Sequence, residues 1–437
     1  MTEQFAQQSG DPQEICTENG IRFSAKCSPK FRSCLLTLHF YVQRTAETAP
    51  VHALLTDLLT ASSADEPDIA AMSLRLESLY AADFSAKLSL FGDCAGLIFT
   101  ASWLDDRFAL NGEAVTDAML ELVLGCLLRP NAANGAFRDP EFRICKQNLL
   151  DDIDCMQNDK RSYALKQAAA HAYCNEPAAI PAHGSRKYAE AVTAEQAFRL
   201  WQEILQTAPV DIVCITPEPK PQIAERLLDA LQSCRHMPVQ PVAFTSPSPP
   251  KPEPQTVAED VDAGQSKLVL IYKYRAIPRE VLAVLCGMLG GISESLLFTN
   301  IREKQGLCYY CVLQNSVYKH ALVIDSGMDP AQADAVRLAA DAQIDALKSG
   351  DFTDEMMEQA ILQFEYQAAA AQDAPDSMAA VEAARFRRSD PRDAAALADA
   401  MRQVTRTQIA EAAMQLVPDT VYLLRAAEGE GADPDAG

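Results

Sequence analysis

The six histidines are the first place to look for a metal centre, and their spacing does not make one. His39, His52, His171, His183, His236 and His320 are too far apart for any two to share a helical turn. A helix-borne zinc pair needs two imidazoles four residues apart on one face, with a glutamate beside them to activate water, so neither H-E-x-x-H nor H-x-x-E-H is present. His39 lies in an apolar run and reads as a core histidine. His171 and Cys174 are close enough to share a helix face, but an H-x-x-C without two further ligands does not hold zinc. Cys308 and Cys311 form a C-x-x-C, a spacing that does redox chemistry at a helix start, where the dipole favours a thiolate. Here it falls in the strand-like run LCYYCVL, in which residues three apart point to opposite faces, so two structural thiols are expected. Gly287, Gly290 and Gly291 follow a helix without any G-K-[ST], and no G-x-S-x-G nucleophile elbow occurs.

The stretch GGISESLLFTNIREKQGLCYY, residues 290–310, carries more information. It reads as a glycine hinge, a short helix capped by Ser293, a helix stop at Gly306 and a strand from Leu307. Arg302 leaves the end of that helix and Tyr309 leaves the strand, so a tight helix-to-strand turn lets their tips converge. The same residues also admit a plainer reading: an arginine favoured by a helix C-terminus and a tyrosine packed in a sheet. Tyr310, next along the strand, faces the other way.

The elements that must position these residues occur in two blocks. In the first, an apolar strand at 34–42 leads to helices at 50–60 and 69–80 and strand-like runs at 84–91 and 95–103. Helical stretches at 113–128, 140–173 and 194–205 follow, then a strand at 210–215. The second runs from a strand at 267–274 through helices at 279–289 and 293–304 to strands at 307–314 and 321–326. Helices at 331–347, 353–371 and 407–416 precede a strand at 420–424. The order therefore repeats. VTAEQ at 192–196 and VTRTQ at 404–408 start the helix before the last strand of each block, each with a threonine placed to cap it. The fold class expected is α+β: two homologous halves, each a sheet covered by helices. Between them, seven prolines in residues 236–264 and the lack of any helical or strand period predict an extended linker. The expected domains are a disordered tail at 1–19, an N-terminal domain at 20–235, the Pro-rich linker at 236–264, a C-terminal domain at 265–426 and an acidic tail at 427–437.

Composition narrows the function classes. A chain of 437 residues suits two domains of about 200 residues each. Sixty acidic against 38 basic residues give a formal charge of −22, which repels nucleic acid and anionic membranes. The start is polar and acidic without a basic-then-apolar leader, and the run 281–289 is far short of the ~20 apolar residues that span a bilayer. Thirteen cysteines, an odd number, read as reduced thiols. A soluble cytoplasmic protein is expected.

The segment IREKQGLCYY, 301–310, resembles the arginine-to-tyrosine segment in the C-terminal half of the insulinase (pitrilysin) superfamily of zinc peptidases. The duplicated halves, linker and element order are similar too. The likeness extends over about 19–424 and is strongest to the processing-peptidase-like branch. Within that branch it points to the YmfF-type proteins described as elongation-factor-P aminopentanol-modification-associated, which DDIDCMQNDKRSYALKQ at 151–167 also resembles. The resemblance implies a metallopeptidase-like (LuxS/processing-peptidase-like) fold. It also implies that the His, Glu and His of active members correspond to Ala53, Thr56 and Asp57, and the later glutamate ligand to Asp152. These are degenerate zinc slots, and the general base that activates water is missing with them. Asp151, Asp152 and Asp154 otherwise read as a solvated helix face. On this resemblance the chain holds no metal, is inactive alone, and has Arg302 and Tyr309 as substrate-binding residues. The implied role is that of non-catalytic subunit of a heterodimeric zinc endopeptidase. The zinc sits in a partner with an H-x-x-E-H motif, and the substrates are unfolded or leader peptides. The alternative is a catalytically dead homologue acting as a peptide-binding scaffold in a modification pathway.

Overall fold

The apolar run CLLTLHFYV is buried along its whole length, as the central part of strand β3 (Ser33–Gln43). In the computed structural model the described residues are 13–17, 19–388, 390 and 392–426. They form two compact units. The first is drawn from Met1–Asp154, Ile180–Phe244 and Ala371–Asp390, the second from Cys155–Ala179, Thr245–Ala370 and Pro391–Gly437.

In the first unit, β1 (Gln13–Cys16), β2 (Ile21–Cys27), β3, β4 (Asp83–Phe91), β5 (Cys94–Leu104) and β8 (Val210–Thr216) form one sheet in the order β1-β2-β8-β3-β5-β4. A separate short hairpin joins β6 (Ala132–Ala133) to β7 (Ala136–Phe137). Alternate residues of β3 serve different cores. Leu36, Leu38 and Phe40 pack with Trp201 and the helices of the N-terminal half. Leu35, with Val213 and Ile215 of β8, packs instead against Met378, Ala379, Ala383 and Phe386 of helix Pro375–Arg388. A sheet covered on both faces has no solvated side, so its central strand is apolar throughout and does not alternate.

The second unit repeats this plan. Strands β9 (Gln255–Val261), β10 (Ser266–Lys273), β11 (Tyr310–Ser316), β12 (Ala321–Met328) and β13 (Val417–Ala426) lie in the order β11-β12-β10-β13-β9. Leu268, Leu270 and Tyr272 of β10 face the helices of the C-terminal half. Val269 and Ile271 face Ala164, Ala168 and Ala172 of helix Lys160–Ala172, whose small side chains at four-residue spacing let it lie close on the sheet. In both units an outer strand runs parallel to the last strand, β2 with β8 and β9 with β13, and every other strand pair of either sheet is antiparallel. Thr193 with Gln196, and Thr405 with Gln408, form full capping boxes on the helices before β8 and β13. The duplicated α+β architecture, sheets covered by helices, is the one expected.

Several boundaries differ from the sequence reading. The units are not the contiguous blocks 20–235 and 265–426, because each takes one helix from the other half of the sequence. The helical stretch expected over 140–173 is two helices, Glu141–Cys155 and Lys160–Ala172. Asp159 starts the second by accepting from the amides of Arg161 and Ser162, and the chain passes from the first unit to the second in this interval. The linker reading of 236–264 fails at its end. QTVAEDV becomes edge strand β9, whose half-buried residues Val257, Glu259 and Val261 supply too weak an apolar pattern to stand out. The tail reading of 1–19 fails at β1, which pairs with β2. Residues 1–12 and 18, and the acidic tail 427–437, lie outside the described residues.

Ion pairs anchor the exchanged helices. In the first unit Glu382, 1% exposed at its side chain, accepts from Ser24 at 2.9 Å and pairs with Lys26 and Arg385 at 2.7 Å each. Arg22 grips Asp211 through two bonds of 2.6 and 2.8 Å and donates to the Phe386 carbonyl at 3.0 Å. In the second unit the buried Lys273 ammonium donates to the Ala172 carbonyl at the helix end at 2.9 Å and pairs with Asp419 at 3.2 Å. The buried Asp325 carboxylate receives Arg161.

Candidate functional site

Helix Ala49–Ala61 opens on Pro50, which is suited to a helix's first turn because it lacks the amide that would go unpaired there. Gly184 packs against that proline. Its φ of +67° is a left-handed conformation, and a Cβ there would come within 2.5 Å of the Pro50 ring. Ala53 and Thr56 face inward, 6% and 5% exposed. Ala53 offers no donor atom, and the Thr56 hydroxyl donates to the Ala53 carbonyl at 2.6 Å. Asp57 is exposed at the surface. Asp152, on helix Glu141–Cys155, is exposed too. Although water reaches Asp57, the protein packed around it and the neighbouring Asp152 carboxylate both push its pKa above the usual aspartate range. Ala53 and Thr56 thus meet on the buried side of the helix, and Asp57 feels the Asp152 carboxylate from its exposed side. Among the described residues, no three His, Cys, Asp or Glu side chains are grouped to hold a metal ion. His171 stacks on the Tyr422 ring at 6.0 Å, and Cys174 lies exposed beyond its helix.

In the second unit Arg302 lies in a π-helical turn, Phe298–Glu303. Its guanidinium sits 4.9 Å from the Phe298 ring centre and 3.7 Å from Glu303, with the side chain 45% exposed. Such a turn widens the helix by one residue and is frequent at functional sites. The helix expected to start at Ser293 starts later, with regular turns only from Leu296, while the stop at Gly306 is realised with φ +60°. Tyr309 is 52% exposed and is held by its backbone, the amide donating to the Gly327 carbonyl at 2.8 Å. Its hydroxyl donates to Asp329 at 2.7 Å, and that carboxylate raises the phenol's pKa. Tyr310 turns into the unit. Its ring lies 4.7 Å from the Arg161 guanidinium and 5.2 Å from the Lys267 ammonium, and its hydroxyl donates to Asp325 at 3.1 Å.

The strand reading of Cys308 is corrected. β11 begins only at Tyr310 and the chain bends at Tyr309, so strand alternation does not apply across the pair. Ser326 lies opposite Cys311 in the β11–β12 register, and its hydroxyl donates to the Tyr310 carbonyl at 2.8 Å. The neighbouring Cys311 thiol and the nearby Arg302 charge lower the Cys308 pKa, and the neighbouring Cys308 together with burial raises that of Cys311. Asp329 was not legible as the partner of Tyr309, because it lies across a strand pairing and not along the motif.

Comparison with known proteins adds a lineage to this geometry. Residues 192–364 match a family described as the peptidase M16 inactive domain. The chain is 24% identical over 425 residues to a Bacillus subtilis (strain 168) protein described as "probable inactive metalloprotease YmfF", covering 92% of this chain and 94% of that one. A conserved protein from Enterococcus faecalis V583 has a similar structure, with a TM-score of 0.86 at 21% identity over 96% of this chain and 100% of that one. So does a peptidase M16 inactive domain from Pseudomonas fluorescens, with a TM-score of 0.77 at 17% identity over 97% and 100%. Both structural likenesses concern the fold.

Proposed function

Because this chain is an inactive, insulinase-like peptidase homologue of the M16 type, we propose that it is the non-catalytic subunit of a two-chain zinc endopeptidase. In this reading a partner with an intact H-x-x-E-H motif holds the zinc, and this chain supplies Arg302 and Tyr309 to the carbonyl of an unfolded or leader peptide in the cytoplasm. One asymmetry carries the reading. The slot helix offers Ala53, a Thr56 whose hydroxyl is bound to the Ala53 carbonyl, and a single carboxylate, whereas Arg302 and Tyr309, seven residues apart, stand solvent-accessible. Attack on a peptide carbonyl builds negative charge on its oxygen, and preorganised donors aimed at that oxygen stabilise it most when water is excluded. Arg302 supplies a permanent positive charge. Tyr309 supplies a neutral donor once its hydroxyl turns from Asp329 to the substrate.

The test is reconstitution. The purified chain alone should neither retain zinc by elemental analysis nor cleave an unstructured peptide library. Mixed with an H-x-x-E-H homologue from the same genome, it should co-elute and cleave, and a chelator should abolish the cleavage. Co-elution and peptide binding without cleavage under every condition would instead support a peptide-binding scaffold in a modification pathway. The description of the Bacillus subtilis relative as probably inactive favours that second reading.

A further inference from the structure

We propose that Arg161, Lys267 and Tyr310 are positioning residues for Tyr309: two cations hold the Tyr310 ring inward and so fix the outward aim of the neighbouring phenol. The effect on peptides rests on the function proposed above, but the positioning itself does not. The Arg161 guanidinium lies 4.7 Å from the centre of the Tyr310 ring, and the Lys267 ammonium 5.2 Å from it. The Tyr310 hydroxyl donates to the buried Asp325 carboxylate at 3.1 Å, and Arg161 pairs with that same carboxylate. Arg161, Tyr310 and Asp325 therefore form a closed triangle in which each member touches the other two, with Lys267 added on the ring. The attraction between a cation and an aromatic face grows as water is excluded, and a guanidinium that also meets a carboxylate has its plane fixed. Arg161 is itself set by the start of helix Lys160–Ala172, where its amide donates to the Asp159 side chain at 3.1 Å.

Strand β12 supplies the mould for this arrangement. Gly327 stands opposite Tyr310 in the β11–β12 register. A Cβ there would lie 2.3 Å from Cε1 of the Tyr310 ring and 3.1 Å from the Lys267 ammonium, so a side chain at this position displaces one or the other. The Gly327 carbonyl also accepts the Tyr309 amide at 2.8 Å, and the Ser326 hydroxyl donates to the Tyr310 carbonyl at 2.8 Å. The Tyr309–Tyr310 dipeptide is thus bonded at both ends, with one ring clamped between them. What remains for Tyr309 is the outward direction, in which its hydroxyl meets Asp329 at 2.7 Å. Without the two cations the inner ring keeps only its bond to Asp325, and the bend gains freedom that the Tyr309 side chain inherits.

The experiment places 3-fluorotyrosine at position 309 alone in the full-length chain and records its fluorine NMR resonance. The intact chain should give one narrow resonance, away from that of the urea-unfolded chain. Arg161→Met and Lys267→Met should each move it towards the unfolded position or split it. Arg161→Lys, which keeps a cation for both ring and carboxylate, should restore it. Lys267→Met leaves the pair of Arg161 with Asp325 whole, so it decides should Arg161→Met unfold. A resonance unchanged in the folded neutral variants, or already at the unfolded position in the intact chain, overturns the proposal. In a reconstituted complex that cleaves peptide, Arg161→Met should lower kcat about fivefold with KM held within about twofold. It should add nothing on top of Tyr309→Phe, as expected of a residue that acts through Tyr309. An unchanged kcat, or the full loss repeated on top of Tyr309→Phe, removes the positioning role. A complex that never cleaves bears only on the subunit reading, because the resonance is read on this chain alone.

Discussion

Arg302 and Tyr309 differ in how much of their hydrogen-bonding capacity is already committed. The Arg302 guanidinium leans on a ring and lies 3.7 Å from a neighbouring carboxylate, so most of its donors face water. Tyr309 gives its one proton to Asp329. In the reconstituted complex Arg302→Ala should therefore lower kcat/KM by about 10²-fold, roughly 3 kcal/mol, while leaving co-elution intact. Tyr309→Phe should cost only about tenfold, because the hydroxyl exchanges one acceptor for another. Full turnover by Arg302→Ala would remove the role assigned to it. A second residue-scale expectation concerns pH. Burial, with Arg387 and Lys87 nearby, lowers His39 from 6.5 to about 3, and burial, with Arg44, lowers His52 to about 4. The buried Nδ1 atoms of both have no hydrogen-bond partner. Folded, both rings stay neutral where the unfolded chain binds protons. Their stabilising contribution is complete above about 6.5 and is lost as pH falls towards 4, with a slope of about 1.4 kcal/mol per pH unit per ring. Urea unfolding at pH 7 and pH 5 should show this loss, and His39→Phe or His52→Leu should flatten it; unchanged slopes would show that other groups set the acid limit. His39 was readable as a core residue from its apolar neighbours. The slot residues and the Arg/Tyr pair were nameable only through a family likeness, since nothing in an alanine or a threonine announces a lost ligand.

At the scale of elements, the sequence spoke clearly where burial is one-sided and poorly where it is not. Helices with strong caps, such as those behind Thr193 and Thr405, and strands with long apolar runs, such as β3, β5 and β10, were legible at their centres. Strands β2 and β9 were not, because IRFSAKC and QTVAEDV mix charge with apolar residues. Helix Pro375–Arg388 was missed as well, since its contact face includes two alanines and its anchor is an acid. That acid offers an element-scale test. Removing Glu382 leaves the charges of Lys26 and Arg385 and the Ser24 hydroxyl without their shared acceptor. Glu382→Ala should destabilise the first unit by about 3 kcal/mol in chemical denaturation. A loss below about 0.5 kcal/mol would show that Met378, Ala379, Ala383 and Phe386 hold the helix unaided.

For the whole molecule, the exchange of helices means that the midpoint of the sequence is not the midpoint of the structure. β3 and β10 already carried the sign of it: both are apolar on two faces, which a sheet with one open side does not require. The second cover of each sheet comes from far along the sequence, Ala168 for Val269 and Met378 for Leu35, beyond the reach of local patterning. Fragments 1–244 and 245–437, each expressed alone, should therefore be unstable or aggregate. Co-expressed, they should recover one soluble complex with the parent's circular dichroism. If fragment 1–244 folds alone with native stability, the Pro375–Arg388 helix contributes nothing to its unit. The exchange also imposes an order on birth at the ribosome. Leu35, Val213 and Ile215 are made early, but the helix that shields them emerges only after Arg388 is translated. At elongation rates of about 5–20 residues per second that interval is on the order of ten seconds. For that time a sticky patch travels on an unfinished polypeptide, which makes the nascent chain a client for whatever chaperone waits at the exit tunnel.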